Sequence, residues 1–171
     1  MNSEPTVGIC VATVADAEAI APFHVACWHE AYTGLVPASF LDALDAQDRV
    51  SRWQARLARS DCDNLIASDR AGAVVGVAST RPSEDDPPTP VLELSTLYLA
   101  RTHYGTGLGA ALVDRILDGR AASLWVFAGN ARARSFYVKT GWHDSGHNKP
   151  DPGTGIVELR MVRTGHRTGQ P

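Results

Sequence analysis

Three glycines on alternate positions, Gly105, Gly107 and Gly109, stand in HYGTGLGAAL (103–112), directly before an Ala/Leu/Val run. A glycine-rich bend between a strand and a helix presents backbone N–H groups at the positive end of the helix dipole, where phosphate oxygens bind. Glycine suits the task because a Cβ would hold the phosphate off the main chain. Gly105, Gly107 and Ala110 also satisfy G-x-G-x-x-A, the dinucleotide fingerprint of a nicotinamide-binding oxidoreductase. That reading wants an acid at the end of the next strand, yet LWVFAGN ends in Gly129 and Asn130, and little chain remains for further βαβ units. A glycine loop that merely packs against a strand is the plain alternative.

GNARARSFYVKTGW (129–142) is the second such stretch. Seven residues separate Asn130 from Tyr137, so on a helix they differ by about 20° around the axis and about 10 Å along it. One face then offers an amide near one end of an extended ligand and a phenol near the other. Taken singly, Asn130 reads as an N-cap and Tyr137 as a half-buried core residue. Two weaker constellations fall away. His143, His147, Asp144 and Asp151 lie on a Gly-broken segment, and His29-Glu30 lacks the second His of H-E-x-x-H, so no metal is expected.

Positioning these groups falls to elements readable from periodicity. VGICVAT (7–13) is a short β-branched strand. Thr13 and Asp16 open a helix carrying Ile20, Phe23, Cys27 and Trp28, in which Pro22 predicts a kink or a break. PASFLDAL is a short helix, and Asp45 caps another bearing Val50, Trp53 and Leu57. NLIASD and AVVGVAST form a hairpin about Arg70-Ala71-Gly72, RPSEDDPPTP (81–90) is an exposed loop, and VLELSTLYL (91–99) is a strand. A helix over 105–119, a strand over 122–128, a helix from Asn130 to about Thr140 and a strand over 155–162 complete the chain. The order ends α-β-α-β-β, with only the last strand located.

The chain has 171 residues and a net charge of −3, enough for one domain with its own core and without the basic excess that nucleic acid or an anionic membrane requires. Three cysteines, Cys10, Cys27 and Cys62, show no C-x-x-C pairing and read as reduced thiols of a cytoplasmic protein, two of them buried. The N-terminus lacks a signal-peptide pattern, and no apolar run is long enough to span a bilayer. We expect a single domain over 1–163 and a disordered tail over 164–171.

Together the motifs resemble the GNAT superfamily of acyl-CoA-dependent N-acyltransferases, and the similarity covers most of the chain. VATVADAEAIAPFHVACWHEAYTGLVP is similar to that family's first strand and paired substrate-side helices. LSTLYLARTHYGTGLGAALV is similar to its strand–pyrophosphate loop–helix segment, R/Q-x-x-G-x-G/A, and LWVFAGNARARSFYVKTGW to its Asn…Phe-Tyr…Gly-Phe segment. The resemblance implies an α/β (α+β) fold: a mixed, mostly antiparallel sheet of about seven strands, four to five flanking helices, and two strands splayed at the coenzyme A site. It assigns pantetheine to the backbone of Leu97, Tyr98 and Leu99. The pyrophosphate falls to Gly105, Thr106, Gly107, Leu108, Gly109 and Ala110, the CoA-side amide to Asn130, and the phenol near the thioester sulfur to Tyr137. The R/Q that opens the loop motif falls on Tyr104, so a charged or amide contact to phosphate is lost.

The implied chemistry is direct attack of a primary amine, small-molecule or protein-borne, on acetyl-CoA, with neither metal nor covalent enzyme intermediate. Leu99 N–H is the expected oxyanion donor and Tyr137 the acid for the leaving thiolate. A lysine-like amine costs roughly 4.6 kcal/mol to deprotonate at pH 7, so a base or water chain helps. Some members carry a Glu on the strand before the Asn-bearing helix, where this chain has Trp125. Glu93 is the first substitute, followed by Glu30 and His24. Glu93 nevertheless reads somewhat better as a solvent-facing or ion-paired strand residue and Glu30 as a helix-surface acid, and a water relay would need none of them. Trp28 and Tyr32, with Glu30 and Trp53 near them, are candidate walls of an acceptor pocket, although aromatics at helical spacing also read as core. A non-catalytic acyl-CoA-binding module is the rival reading, and a homodimer is compatible with the family.

Overall fold

The computed structural model describes residues 7–85 and 90–165. Seven strands form one sheet in the order β1-β2-β3-β4-β5-β7-β6. In chain order they are β1 (Gly8–Val11), β2 (Asn64–Ser68), β3 (Val74–Pro82), β4 (Leu92–Leu99), β5 (Ala122–Phe127), β6 (His143–Pro150) and β7 (Val157–Arg163). Five α-helices accompany them: α1 (Ala17–Tyr32), α2 (Ala38–Asp42), α3 (Ala46–Leu57), α4 (Leu108–Leu117) and α5 (Ala131–Lys139). Every strand pair is antiparallel except β4/β5. The mixed α/β expectation therefore holds in strand number and in helix number.

Local chemistry explains the boundaries. Asp45 caps α3, its Oδ1 accepting the Gln47 and Asp48 N–H groups at 2.7 and 3.0 Å. Asp69 closes the β2–β3 turn by accepting from Ala71 and Ala73, with Gly72 at a φ of +81°. Of the kink or break expected at Pro22, the break does not occur: α1 runs in one piece. The ring removes a single bond, to the Glu18 carbonyl, while Ala17, Ile20, Ala21, His24 and Cys27 are all buried along the same helix. Cys27 is also the one cysteine fully buried, since Cys10 lies on the exposed edge strand β1 and Cys62 in a partly covered turn.

The sheet is filled on both faces because successive side chains of a strand point to opposite sides. Leu65 and Ala67 of β2 join Leu112, Val113 and Ile116 of α4, whereas Ile66 between them meets Ile20, Val50 and Trp53 of α1 and α3. α4 and α5 thus cover one face, and α1 and α3 the other. Residues 86–89 of the exposed loop and 166–171 of the expected tail lie outside the described residues.

Candidate active site

β4 pairs with β3 along its length but meets β5 at one rung only, Glu93 opposite Ser123. A cleft of about 460 Å³ opens beyond that rung, with Leu94–Leu99 on one side and Trp125–Phe127 on the other. A bulge marks the departure: Ser79 opposes Thr96 while Thr80 opposes Leu94, which leaves Ser95 unpaired. Arg56 of α3 fixes it from behind, donating to Ser95 Oγ at 2.9 Å and Thr96 Oγ1 at 3.1 Å. Ala100 N–H bonds to the Val75 carbonyl of β3 at 2.9 Å. By alternation, the N–H groups of Leu97 and Leu99 point away from β3, toward the open side.

The glycine loop closes one end. A 3₁₀ turn (Arg101–His103) leads from β4 into Gly105 at φ +75° and Gly107 at φ +89°, the latter serving as N-cap of α4. Gly109 is constrained differently, for a Cβ there would lie 3.1 Å from the Phe136 ring and 3.3 Å from Leu99 Cδ1. Gly105, Gly107, Gly109 and Ala110 line the cleft, and the first-turn N–H groups of α4 lack intrahelical partners. Thr106 and Leu108 do not line it: the Thr106 hydroxyl donates to the His103 carbonyl at 2.8 Å and Leu108 is buried in the core. Tyr104 does line it, with the Arg132 guanidinium 4.0 Å above its ring.

α5 brings Asn130 and Tyr137 to the same cleft. Asn130 is a buried N-cap whose Oδ1 accepts the Ala133 N–H at 3.1 Å, leaving the amino end of its carboxamide for a ligand. Tyr137 packs against Phe136 and Trp142, and its hydroxyl has no hydrogen-bond partner among the described residues. Burial raises its pKa well above the ordinary phenol value, with Tyr32 adding to the effect and Arg132 opposing it, so it stays protonated throughout the neutral range.

The acid and base candidates separate sharply. Glu93 is buried in an ion pair with Arg81 at 2.9 Å and does not line the cleft; burial raises its pKa and Arg81 opposes the rise. Glu30 is exposed and stands outside the lining. His24 is buried on α1, with the Trp28 and Trp53 indole N–H groups 2.9 and 3.1 Å from its two ring nitrogens. Burial, followed by Arg49 and Arg56, pushes its pKa down to about 3, which keeps it neutral and weakly basic. Trp28 and Tyr32 line the cleft beside Phe127, with Tyr32 Oη 3.3 Å from Tyr98 Oη, whereas Trp53 is core.

A carboxylate that the sequence did not single out stands in this cleft. Glu158 of β7 sits opposite Phe127 of β5, is half-buried, and has no hydrogen-bond or ion-pair partner among the described residues. Burial first and Asp151 second push its pKa up to about 7. Asp151 lines the same wall and is held by the Thr154 N–H and hydroxyl, both at 2.7 Å. Among the described residues, no group of three or more His, Cys, Asp or Glu could hold a metal ion.

Comparison with known proteins accords with this arrangement. The family model for "Acetyltransferase (GNAT) family" matches residues 25–142, from α1 to the end of the α5 segment. An uncharacterised N-acetyltransferase of Mycobacterium tuberculosis is 31% identical over 134 residues, 75% of this chain and 73% of that protein. Another from Bacillus subtilis is 28% identical over 104 residues, 61% of this chain and 58% of its own length. Among solved structures, the PaiA N-acetyltransferase of Thermoplasma acidophilum in complex with coenzyme A superposes with a TM-score of 0.71 at 18% identity, over 93% of this chain and 99% of that one. YncA of Salmonella typhimurium with acetyl-CoA gives 0.69 at 20% identity, over 97% and 98%. With two motifs joined in one cleft and the family pattern spanning most of the chain, this protein is a member of the GNAT family of acetyltransferases.

Proposed function

We propose that the protein transfers the acetyl group of acetyl-CoA to a primary amine carried in on a cationic acceptor. One observation carries the reading: an open strand edge meets, in a single cleft, a glycine loop and helix start whose Gly105, Gly107, Gly109 and Ala110 N–H groups have no partner among the described residues. An extended ligand with a phosphate at one end fits that shape. The free N–H groups at the start of α4 would hold the pyrophosphate, Asn130 and the outward edge of Leu97–Leu99 the pantetheine arm. Bound acetyl-CoA would supply an activated acetyl thioester.

This chain's own groups then divide the remaining work. Leu99 N–H, aimed at the open side, donates to the carbonyl oxygen as negative charge gathers there. Tyr137 holds its proton at Oη and stands as donor to the departing sulfur. Glu158 takes the proton from the incoming ammonium, and its raised pKa suits a base working near neutrality. Glu93 cannot do so without abandoning Arg81. Trp28, Tyr32 and Phe127 wall the acceptor end and exclude water, while Asp151 adds negative charge that favours a cation.

The test is calorimetric titration with acetyl-CoA, using NADH as control, followed by free-thiol release with a panel of primary amines. Binding of acetyl-CoA alone, with amine-dependent thiol release, is the expected result. Binding without release for any amine would make the protein a sensor of acyl-CoA, and NADH binding would overturn the reading. In Glu158→Gln, the rise of kcat/KM with pH through about 7 should vanish, since the base acts only when ionised. Persistence of that rise would remove Glu158 from the role.

A further inference from the structure

The loop motif of this chain has Tyr104 where the family pattern carries an arginine or glutamine, yet the cleft it serves has to receive several phosphate charges. Among the described residues lining that cleft, Arg132 is the one lysine or arginine. It is the second residue of α5 and lines the same cleft as Gly107, Gly109 and Ala110 at the start of α4, with its guanidinium 4.0 Å above the Tyr104 ring. A guanidinium lying on an aromatic face keeps its in-plane N–H donors available, whereas an ion pair would consume them. None of those donors has a partner among the described residues. Arg134, two residues on and so on the opposite face of α5, is already committed: its Nη1 donates to the Ala128 carbonyl at 3.1 Å and its side chain does not line the cleft.

We propose that Arg132, seated on Tyr104, is the phosphate-binding cation of this cleft and replaces the side chain missing from the head of the glycine loop. The proposal rests on the acetyl-CoA reading above. Tyr104 is then a platform that fixes the guanidinium plane opposite the α4 amides, so that phosphate is held between a dipole end and a full charge. The field of Arg132 also reaches Cys27, Tyr32 and Tyr137, opposing the rise in pKa that burial imposes on each, as expected of a charge directed into the groove.

Calorimetric titration of the intact protein with coenzyme A and with phosphate-free S-acetylpantetheine tests the assignment at two salt concentrations. Arg132→Ala should weaken coenzyme A binding about tenfold or more at low salt and less at high salt, as loss of a charged hydrogen bond predicts. S-acetylpantetheine should bind the variant as it binds the unsubstituted protein. Adding Tyr104→Arg to Arg132→Ala should restore coenzyme A affinity, because the cation returns at the position the family pattern uses. Equal losses for both ligands, or an unchanged affinity for coenzyme A, would overturn the proposal while leaving the acetyl-CoA reading intact. Failure of the unsubstituted protein to bind coenzyme A at all would overturn both.

Discussion

Single side chains in this cleft repay separate treatment, because residues of one type serve different physical ends. Gly105 and Gly107 occupy left-handed backbone, while a Cβ at Gly109 would press on Phe136 and Leu99 at 3.1 and 3.3 Å, so that its neighbours would have to give way. Tyr137 offers the sharpest functional test at this level. Tyr137→Phe keeps the ring between Phe136 and Trp142 and removes only the hydroxyl, so coenzyme A affinity should hold while kcat falls about a hundredfold. An unaltered kcat would assign the proton to another donor. Asn130 and Tyr137 could be read from the sequence because their spacing is local, one helix repeat after another. Glu158 could not, since it is one charged residue among three in a seven-residue strand, and its place follows from β7 inserting between β5 and β6. For Glu93 the ion-paired reading is the one the structure shows, with the Arg81 partner that β3 brings across from it, which nearness in sequence to the loop does not reveal.

Helices and strands form the next tier, and here α4 is the piece on which ligand binding turns. Its N-terminus is clamped by Gly109 between β4 and α5, so Gly109→Ala should lever the first turn outward. Overpacking of this kind costs about 1–3 kcal/mol, and the variant should lose both thermal stability and coenzyme A affinity. A variant that melts with the unsubstituted protein and binds as well would show that the clamp yields freely. Apolar periodicity revealed five helices and most strands, and the capping aspartate of α3 stood where its side chain now accepts two amides. β6 escaped because HDSGHNKP is a polar edge strand, exposed over most of its length, and carries no alternation to read. The unbroken α1 shows packing outweighing a local rule, since five buried residues line the helix in which Pro22 was expected to cause a kink or a break, and no break occurs.

At the scale of the molecule, buried His24 and half-buried Glu158 bend the pH dependence of stability in opposite directions. His24 is held neutral down to about pH 3, so between that value and its unfolded pKa near 6.5 only the unfolded chain binds its proton, and stability rises with pH. Glu158 keeps its proton in the folded state up to about pH 7, whereas the unfolded chain releases it from about 4.5, so stability falls with pH over that interval. Each slope is at most about 1.4 kcal/mol per pH unit, and that of half-exposed Glu158 is reduced by solvent screening. The two slopes oppose each other between pH 4.5 and 6.5. Glu158→Gln removes one of them, so chemical denaturation of that variant should show stability climbing with pH over this range more steeply than in the unsubstituted protein. Parallel curves would mean that Glu158 titrates as an ordinary surface acid.

The single rung between β4 and β5 has a mechanical consequence. Antiparallel pairing joins β1 to β4, and again β5, β7 and β6, over several rungs at each step, but among the described residues the two blocks share a single strand pairing, Glu93 with Ser123. Subglobal opening should therefore begin along this seam, with each block exchanging its amides as a unit. A ligand laid against the free edge of β4 bridges the two blocks and acts as a temporary strand. Its arrival should slow hydrogen exchange on both sides together, so that binding is registered as added cooperativity of the sheet.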